Sequence, residues 1–572
     1  MGPTGISSGR RLIGTLIDAM NKNKYLLMVS SIAVFVLLGA AAFSENFLKE
    51  WHGIQNSAQT ADGPIDQRLR QIVNPSLKVT DRCVTCHIGM ASGEQITTAL
   101  KVGAIHKPVV HAPAEIGCTV CHGGQGQATE KDDAHGNVHF WTEPMLPAKY
   151  AYASCGTCHT PLNVPNLPTL DLARKTFERL DCYACHRLDD RGGTLRPGGN
   201  LSGMEGPDLS HVGLKGYNSE WYAVHLRNSE QNLSPAWTNS FSEISDEDRK
   251  SLKVFLDTQM GAPKLIEAKA QFNTVGCAGC HTVGSFGGDA GVNLSISGYK
   301  DPNQLNFSRV PGEHTLSNWI IQHFRSPGST VAGSQMPALG LSDSEIDLLT
   351  LYTLSLRRRT LPDTFLPKDR VRAMRFGARE FANDGQSIYT AVCSSCHGAS
   401  GQGMRFQGLV PNPSIAGADF LALASDDFLI QTIKNGRPGR PMLAWGNREN
   451  GFTDEEIKNL VGYIRQLGGN VQATQDPRPR LWAKGDSSLG ASLFASNCSG
   501  CHGKDAAGAD GPALSNKAFL TSASDTFLVG TIARGRNGTV MQGFSNPSPV
   551  RRVLTQPEIE AIVVYLRSLN AK

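Results

Sequence analysis

The sequence predicts a mainly α chain: one apolar helix near the N-terminus, an irregular block, then four small helical domains in tandem. Three observations predict it. Residues 25–43, YLLMVSSIAVFVLLGAAAF, carry no charge. Four later segments each open on a helix-like run and close on a capped amphipathic helix. Finally, Cys-x-x-Cys-His occurs seven times, with three copies crowded into residues 83–159 and the last four spaced 95, 116 and 105 residues apart.

A chain of 572 residues exceeds one hydrophobic core and calls for several domains. The formal net charge is +4, and residues 1–24 hold +3 of it through Arg10, Arg11, Lys22 and Lys24 against Asp18. The remainder is nearly neutral, so no basic field invites nucleic acid. Nineteen uncharged residues suit a single membrane span. The basic flank keeps residues 1–24 in the cytoplasm and sends residues 44–572 to the periplasmic side of a bacterial inner membrane. The competing reading is a cleaved signal peptide ending at the AAA of residues 40–42, with Arg10–Arg11 as a twin-arginine signal. A signal core is shorter, however, and has no 24-residue leader.

The seven motifs place cysteines at Cys83 and Cys86, Cys118 and Cys121, Cys155 and Cys158, Cys182 and Cys185, Cys277 and Cys280, Cys393 and Cys396, and Cys498 and Cys501. They use all 14 cysteines, and each second Cys is followed at once by His: His87, His122, His159, His186, His281, His397 and His502. A disulfide framework requires no such His. Zinc ribbons pair Cys-x-x-Cys units more closely than these stand and leave the His redundant. Redox Cys-x-x-Cys pairs do not come in sevens. Covalent c-type haem attachment accounts for every residue of the pattern: two thiols bond one porphyrin edge, and the His is the proximal iron ligand. Seven covalently bound haem c groups are expected.

Spacing divides the chain. Residues 83–159 are too short for three protein cores, so the haems themselves must form the core of a trihaem block, with little regular structure. The boundaries expected are an anchor at 25–43, a linker at 44–79, the trihaem block at 80–166, and monohaem domains at 167–260, 261–358, 379–469 and 487–572. Linkers lie at 359–378 and 470–486, basic or polar and rich in Pro, suggesting domains strung like beads. The helices opening at Ser245, Ser342, Thr453 and Thr555 each carry an acid three residues on, a capping-box pattern. Residues 168–572 resemble tandem class I cytochrome c domains, in which N- and C-terminal helices cross beside the haem.

That resemblance implies a distal Met in the loop before each last helix. Met336, Met442 and Met541 occupy that place. In the Cys182 domain, aligning Trp221, His225 and Arg227 with Trp319, His323 and Arg325 puts Asn239 where Met336 falls. His225, His211 and Met204 are then the substitutes in that order, and an open iron is the remaining reading. His323, beside a suitable Met, reads as structural. In the trihaem block, His106, His111, His135 and His139 are the distal candidates, with His111 and His135 foremost and His52 more distant.

Axial Met raises haem potential relative to His, so potentials should rise from the trihaem block to the C-terminal domains. The stretch CVTCH…HKPVVH…GCTVCHGGQGQAT…AHG…W…P…CGTCH, within residues 81–165, resembles the multihaem subunits accompanying cytochrome b and Rieske-type proteins in bacterial quinol-oxidising complexes. It implies a non-catalytic electron-transfer subunit with integral cytochrome b-type and Rieske or other iron–sulfur partners, delivering electrons to a soluble periplasmic acceptor. The alternatives are an electron-input subunit of a terminal oxidase or membrane dehydrogenase, a multihaem reductase or peroxidase with an open haem, and a structural haem wire.

Overall fold

In a computed structural model, the chain is described at residues 7–90, 95–98, 102, 105–106, 109, 111–159, 164–189, 191–193, 206–227, 244–357, 361–368, 370–371, 375, 379, 381–406, 411–448 and 450–569. Among these residues the protein is mainly helical, and its strands are two- and three-residue antiparallel hairpins. Two compact units divide at Leu146/Pro147.

The first unit begins with the helix Ser7–Phe47. Its apolar side chains, Leu27, Phe35 and Leu37 among them, are exposed. By length and composition this helix suffices to cross a membrane. Residues 44–79, expected as a linker, are instead largely folded onto the first motif. Trp51 and Gln55 of the helix Glu50–Asn56 are buried. The Gln55 side-chain amide donates to the carbonyls of Arg68 and Thr85 at 2.9 Å. The Thr85 hydroxyl donates to the Arg70 carbonyl at 2.7 Å and accepts the Arg70 N–H at 3.0 Å. A Gln and a Thr thus satisfy backbone groups that no sheet or long helix reaches.

In the second unit the same construction recurs four times. An N-terminal helix ends at the Cys motif, and a C-terminal helix packs across it: Leu167–Arg179 with Asp246–Asp257, Pro263–Val275 with Asp343–Ser355, the turn from Gly385–Ile388 with Asp454–Leu467, and Ser487–Asn497 with Gln556–Leu569. Aromatic rings meet at each crossing, with centroids 4.9 Å apart for Phe177–Phe255, 4.5 Å for Phe272–Tyr352, and 5.5 Å for Tyr389–Tyr463 and Phe494–Tyr565. In the last two repeats the crossing is so close that only glycine fits: a Cβ on Gly385 or Gly490 would stand 2.1 and 2.0 Å from the carbonyl oxygens of Asn459 and Ala561. The C-terminal helices start as their sequences dictate. Ser245 caps its helix by accepting the Asp248 N–H; Ser342 with Glu345 and Thr453 with Glu456 form full capping boxes. Thr555 donates its N–H to Glu558 at 2.9 Å.

The repeats are packed together, not strung on linkers. Ile266 and Ala270 of the second repeat share a core with Leu170 and Phe177 of the first. The rings of Phe428 and Phe527 join the third and fourth at 4.6 Å. The unit boundary also falls inside the 80–166 stretch. The third motif's helix, Ala148–Thr157, packs on Asp343–Ser355, where the Tyr150 hydroxyl donates to Asp347 at 2.7 Å. A Cβ on Gly156 would stand 2.3 Å from the Ser355 carbonyl oxygen.

Two arginines, Arg465 buried and Arg567 half-buried, tie the last helices of repeats three and four to the turns they cross. Arg465 donates to the carbonyls of Leu421 (2.7 Å), Ala424 (2.6 Å) and Val471 (3.0 Å) and to Asp426. Arg567 repeats this on Leu520, Ala523 and Asp525. Replacing Arg465 by Met strands buried carbonyls, at a cost of about 3 kcal/mol. Thermal unfolding of R465M should begin several degrees lower. R405A, which removes an exposed 3.7 Å pair with Asp510, should leave the transition unchanged.

Candidate haem-binding sites

Each Cys-x-x-Cys-His segment forms a tight helical turn. Where the bond lies outside a helix ladder, the His backbone N–H donates to the first Cys carbonyl at 2.7–3.0 Å, as in His87→Cys83, His122→Cys118, His159→Cys155, His186→Cys182, His281→Cys277 and His502→Cys498. That turn sets both thiols and the imidazole on one side of the chain. All 14 cysteines are free of disulfides, and among the described residues no group of three His, Cys, Asp or Glu is arranged to hold a metal ion. Burial pushes the Cys277 and Cys393 thiols up to about 12 and holds them neutral.

In the four repeats a second contact orients the imidazole. Nδ1 of His186, His281, His397 and His502 lies 2.8 Å from the carbonyl oxygens of Pro207, Val292, Pro413 and Pro512 respectively. A carbonyl only accepts, so Nδ1 carries the proton and Nε2 keeps its lone pair for a metal. Burial holds His281 and His397 below the ordinary imidazole range, against the opposing pull of that carbonyl, so the ring stays neutral. A glycine lies beside three of these rings. A Cβ on Gly206, Gly291 or Gly511 would come within 2.5, 2.5 and 2.9 Å of His186, His281 and His502. Free thiols, an oriented neutral imidazole and a glycine-cleared ring face are what covalent haem c requires of a chain, and the residues fit it.

The expected distal residues fall out unevenly. In the first unit, His135 faces His87 with ring centroids 6.5 Å apart, and His106 faces His122 at 6.2 Å. With metal–nitrogen bonds of about 2 Å, two imidazoles on opposite sides of one metal sit at about this separation. His111 and His139 are exposed. The two motifs of this unit adjoin, with the Cys83 and Cys118 thiols in hydrogen-bonding reach. The Asp81 carboxylate accepts the Thr119 N–H and hydroxyl, both at 2.8 Å.

In the second unit, His225 lies near enough to His186 for the two rings to interact electrostatically. His211 immediately precedes the short helix Val212–Lys215, while Met204 and Asn239 lie outside the described residues. The carbonyls of Met442 and Met541 accept the N–H groups of Arg437 and Arg536, both at 2.8 Å, so their loops share one geometry. Met336 is half-buried, and its N–H donates to the Ser334 hydroxyl at 3.2 Å. The second and third repeats meet motif to motif. The Cys280 and Cys396 thiols lie in hydrogen-bonding reach, and a Cβ on Gly279 would stand 2.5 Å from the Val392 carbonyl oxygen.

Sequence reasoning passed over the carbonyls that orient the proximal rings. Their signal is visible in GPDLS at 206, GVNLS at 291 and GPALS at 511, a glycine followed at once by the residue whose carbonyl accepts the imidazole proton. Asp81, Gln55 and Gly279 act through contacts that no sequence pattern announces.

Comparison with known proteins agrees on the type of domain. Residues 380–464 match the family described as cytochrome c oxidase, cbb3-type, subunit III. Residues 487–570 match cytochrome c, and residues 45–123 match cytochrome c554 and c-prime. Among curated proteins, the cbb3-type cytochrome c oxidase subunit FixP of Bradyrhizobium sp. is 29% identical over 198 residues, covering 32% of this chain and 60% of FixP. Subunit CcoP of Helicobacter pylori is 25% identical over 195 residues, covering 34% of this chain and 60% of its own length. CcoP of Azospirillum brasilense is 26% identical over 262 residues, covering 45% and 78%. The chain thus spans 60% of the length of the first of these relatives. A solved structure, the reducing HAO-like protein complex of Kuenenia stuttgartiensis, matches 32% of this chain and 94% of its own, with 19% identity and a TM-score of 0.24.

The proximal geometry makes a prediction. In G291V the side chain collides with the His281 ring, so the thioether bonds should still form while the imidazole is displaced. Haem c per chain should be unchanged by pyridine haemochrome assay, and one haem should turn high-spin by EPR. G328A, with open space at its Cβ, should retain the parent spectrum.

Proposed function

We propose that this multihaem c-type cytochrome, an electron-transfer protein with covalently bound haem c, is a membrane-anchored heptahaem relay. In this reading it is the cytochrome c subunit of a quinol-oxidising bc-type complex in a bacterial inner membrane. Bound haem c supplies a reversible one-electron iron couple. Cys83, Cys118, Cys155, Cys182, Cys277, Cys393, Cys498 and their partner cysteines hold it covalently at seven places, and the following His of each motif is the proximal ligand. His135 and His106 are the distal ligands opposite His87 and His122. Met442 and Met541 serve His397 and His502, and His225 serves His186. His111 and His139 are the further distal candidates.

One observation carries the direction of flow: the two His–His pairs sit in the unit that also holds the membrane helix. His–His ligation favours low potential and Met ligation high potential. Electrons therefore arrive on the membrane side, where a quinol-oxidising cytochrome b with a Rieske or other iron–sulfur partner delivers them. They leave from the Met-ligated repeats to a soluble periplasmic acceptor. With one candidate span among the described residues, the chain contributes an anchor and leaves the quinol site to a partner.

A second reading has its own support. The relatives matched over the repeats are subunits of cbb3-type oxidases, which favours an electron-input subunit of a terminal oxidase. There the flow runs toward an integral oxidase.

Purification of the full chain with its partners in mild detergent separates the two. A co-purifying haem b spectrum, a polytopic cytochrome b identified by mass spectrometry, and reduction of this chain by added quinol are the expected result. Co-purification of a copper-containing oxidase subunit, with no reduction by quinol, would establish the second reading instead.

A further inference from the structure

We propose that the distal ligand in the second repeat is His323, not Met336, so that the change from His–His to His–Met ligation falls between the second and third repeats. The inference deepens the seven-haem relay reading above and rests on it.

His323 lies on the helix Leu316–Arg325, and His225 lies on Ser219–Arg227 of the first repeat. The two are held alike. His323 stacks on Trp319 with ring centroids 5.0 Å apart and planes 11° from parallel; His225 stacks on Trp221 at 4.8 Å and 8°. Each His is close enough to the proximal imidazole of its own repeat, His281 or His186, for the rings to interact electrostatically. Nδ1 of His323 is buried with no hydrogen-bond partner. A structural histidine ordinarily satisfies its buried nitrogens, since leaving one unpaired costs on the order of 1–3 kcal/mol. This ring is therefore not held in place by a protein hydrogen bond. An aromatic wall and a proximal imidazole nearby suit it to the far side of the same iron.

The Met-ligated repeats differ at the same position. The helices that follow N-caps Thr315, Ser425 and Ser524 share a register. Eight residues after each cap stand His323, Ile433 and Ile532. Both isoleucines are buried core residues. Their carbonyls accept the N–H groups of Trp445 (3.0 Å) and Phe544 (2.9 Å), which draws the Met442 and Met541 loops back onto the helix. Among the described residues, no backbone bond ties residues 333–341 to His323. An Ile with a pinned Met loop and a His with an unpinned one are thus alternative constructions at one place in the fold. The second repeat has the His construction.

The consequence lies at the contact between the second and third repeats. There the Cys280 and Cys396 thiols lie in hydrogen-bonding reach, so this motif-to-motif contact joins a His–His site to a His–Met site. The largest rise in potential along the relay falls at that contact.

The test uses the full-length holoprotein and its M336L and H323A variants. Three readouts are taken: haem c per chain, the near-infrared Met-to-ferric-iron charge-transfer band, and the high-spin EPR signal. In M336L the Met band should keep its full intensity. In H323A one haem should turn high-spin, and added imidazole should return it to low spin. Loss of one of three equal contributions to the Met band in M336L would overturn the assignment, as would an H323A protein with all its haems low-spin. If H323A does not accumulate, the M336L comparison decides alone. The haem count is read separately. A count below seven defeats the seven-haem reading, while the Met band still decides between His323 and Met336.

Discussion

The four repeats depend on one small constraint: the imidazole after each Cys pair must keep Nε2 free for a metal. The backbone turn onto the first Cys carbonyl fixes where the ring starts. A carbonyl 10–21 residues further along then takes the Nδ1 proton at 2.8 Å and fixes its tautomer and tilt. The chain between must return to the ring at van der Waals distance, which only a glycine allows at 206, 291 and 511. Once that loop is committed, the helix before the motif and the capped helix at the end of the repeat have a defined crossing, and the aromatic pairs lock it.

The same logic of close approach governs how the repeats are combined. Gly279 and Gly156 are the variable residues inside their Cys-x-x-Cys segments, and each lies against a neighbouring backbone carbonyl. A side chain there would hold the motifs apart. Because electron tunnelling depends steeply on separation, a glycine inside a motif is a device for bringing one cofactor site against the next element. The Cys83 and Cys118 thiols, and those of Cys280 and Cys396, likewise come within hydrogen-bonding reach of each other.

The two ends of the chain solve the distal side differently. In the first unit, short turns and loops bring His135 and His106 opposite the proximal rings, with little helix to position them. In the last two repeats the loops that carry Met442 and Met541 are tied by backbone hydrogen bonds to the helices Asp426–Asn435 and Asp525–Arg534. The first and second repeats carry a Trp-stacked His on the helices Ser219–Arg227 and Leu316–Arg325. A side chain at one helix position, with or without a loop tied to the carbonyl behind it, is enough to distinguish them.

The seven motifs, the four capped helices and the apolar N-terminal helix were legible in sequence because each is a local pattern. Cap chemistry needs residues three apart, the haem turn needs five consecutive residues, and an uncharged run needs no partner at all. The distal side was only partly legible. His135 was favoured and faces His87, but His106 rather than His111 faces His122, since a loop's path decides which of two histidines five residues apart arrives. His323 resembled a structural residue because sequence records its neighbourhood to Met336 and not its stacking on Trp319 or its unpaired buried Nδ1. The expected linker at 44–79 and the beads-like spacing of the repeats also gave way. Gln55 on Thr85, Ile266 beside Phe177 and Phe428 against Phe527 are contacts between residues remote in sequence. Sequence by itself therefore determined the cofactor chemistry and the repeating element, which are written in short-range covalent and hydrogen-bonding rules. Only the tertiary structure decided which histidine rings come together and which motifs adjoin, because those depend on packing across tens to hundreds of residues.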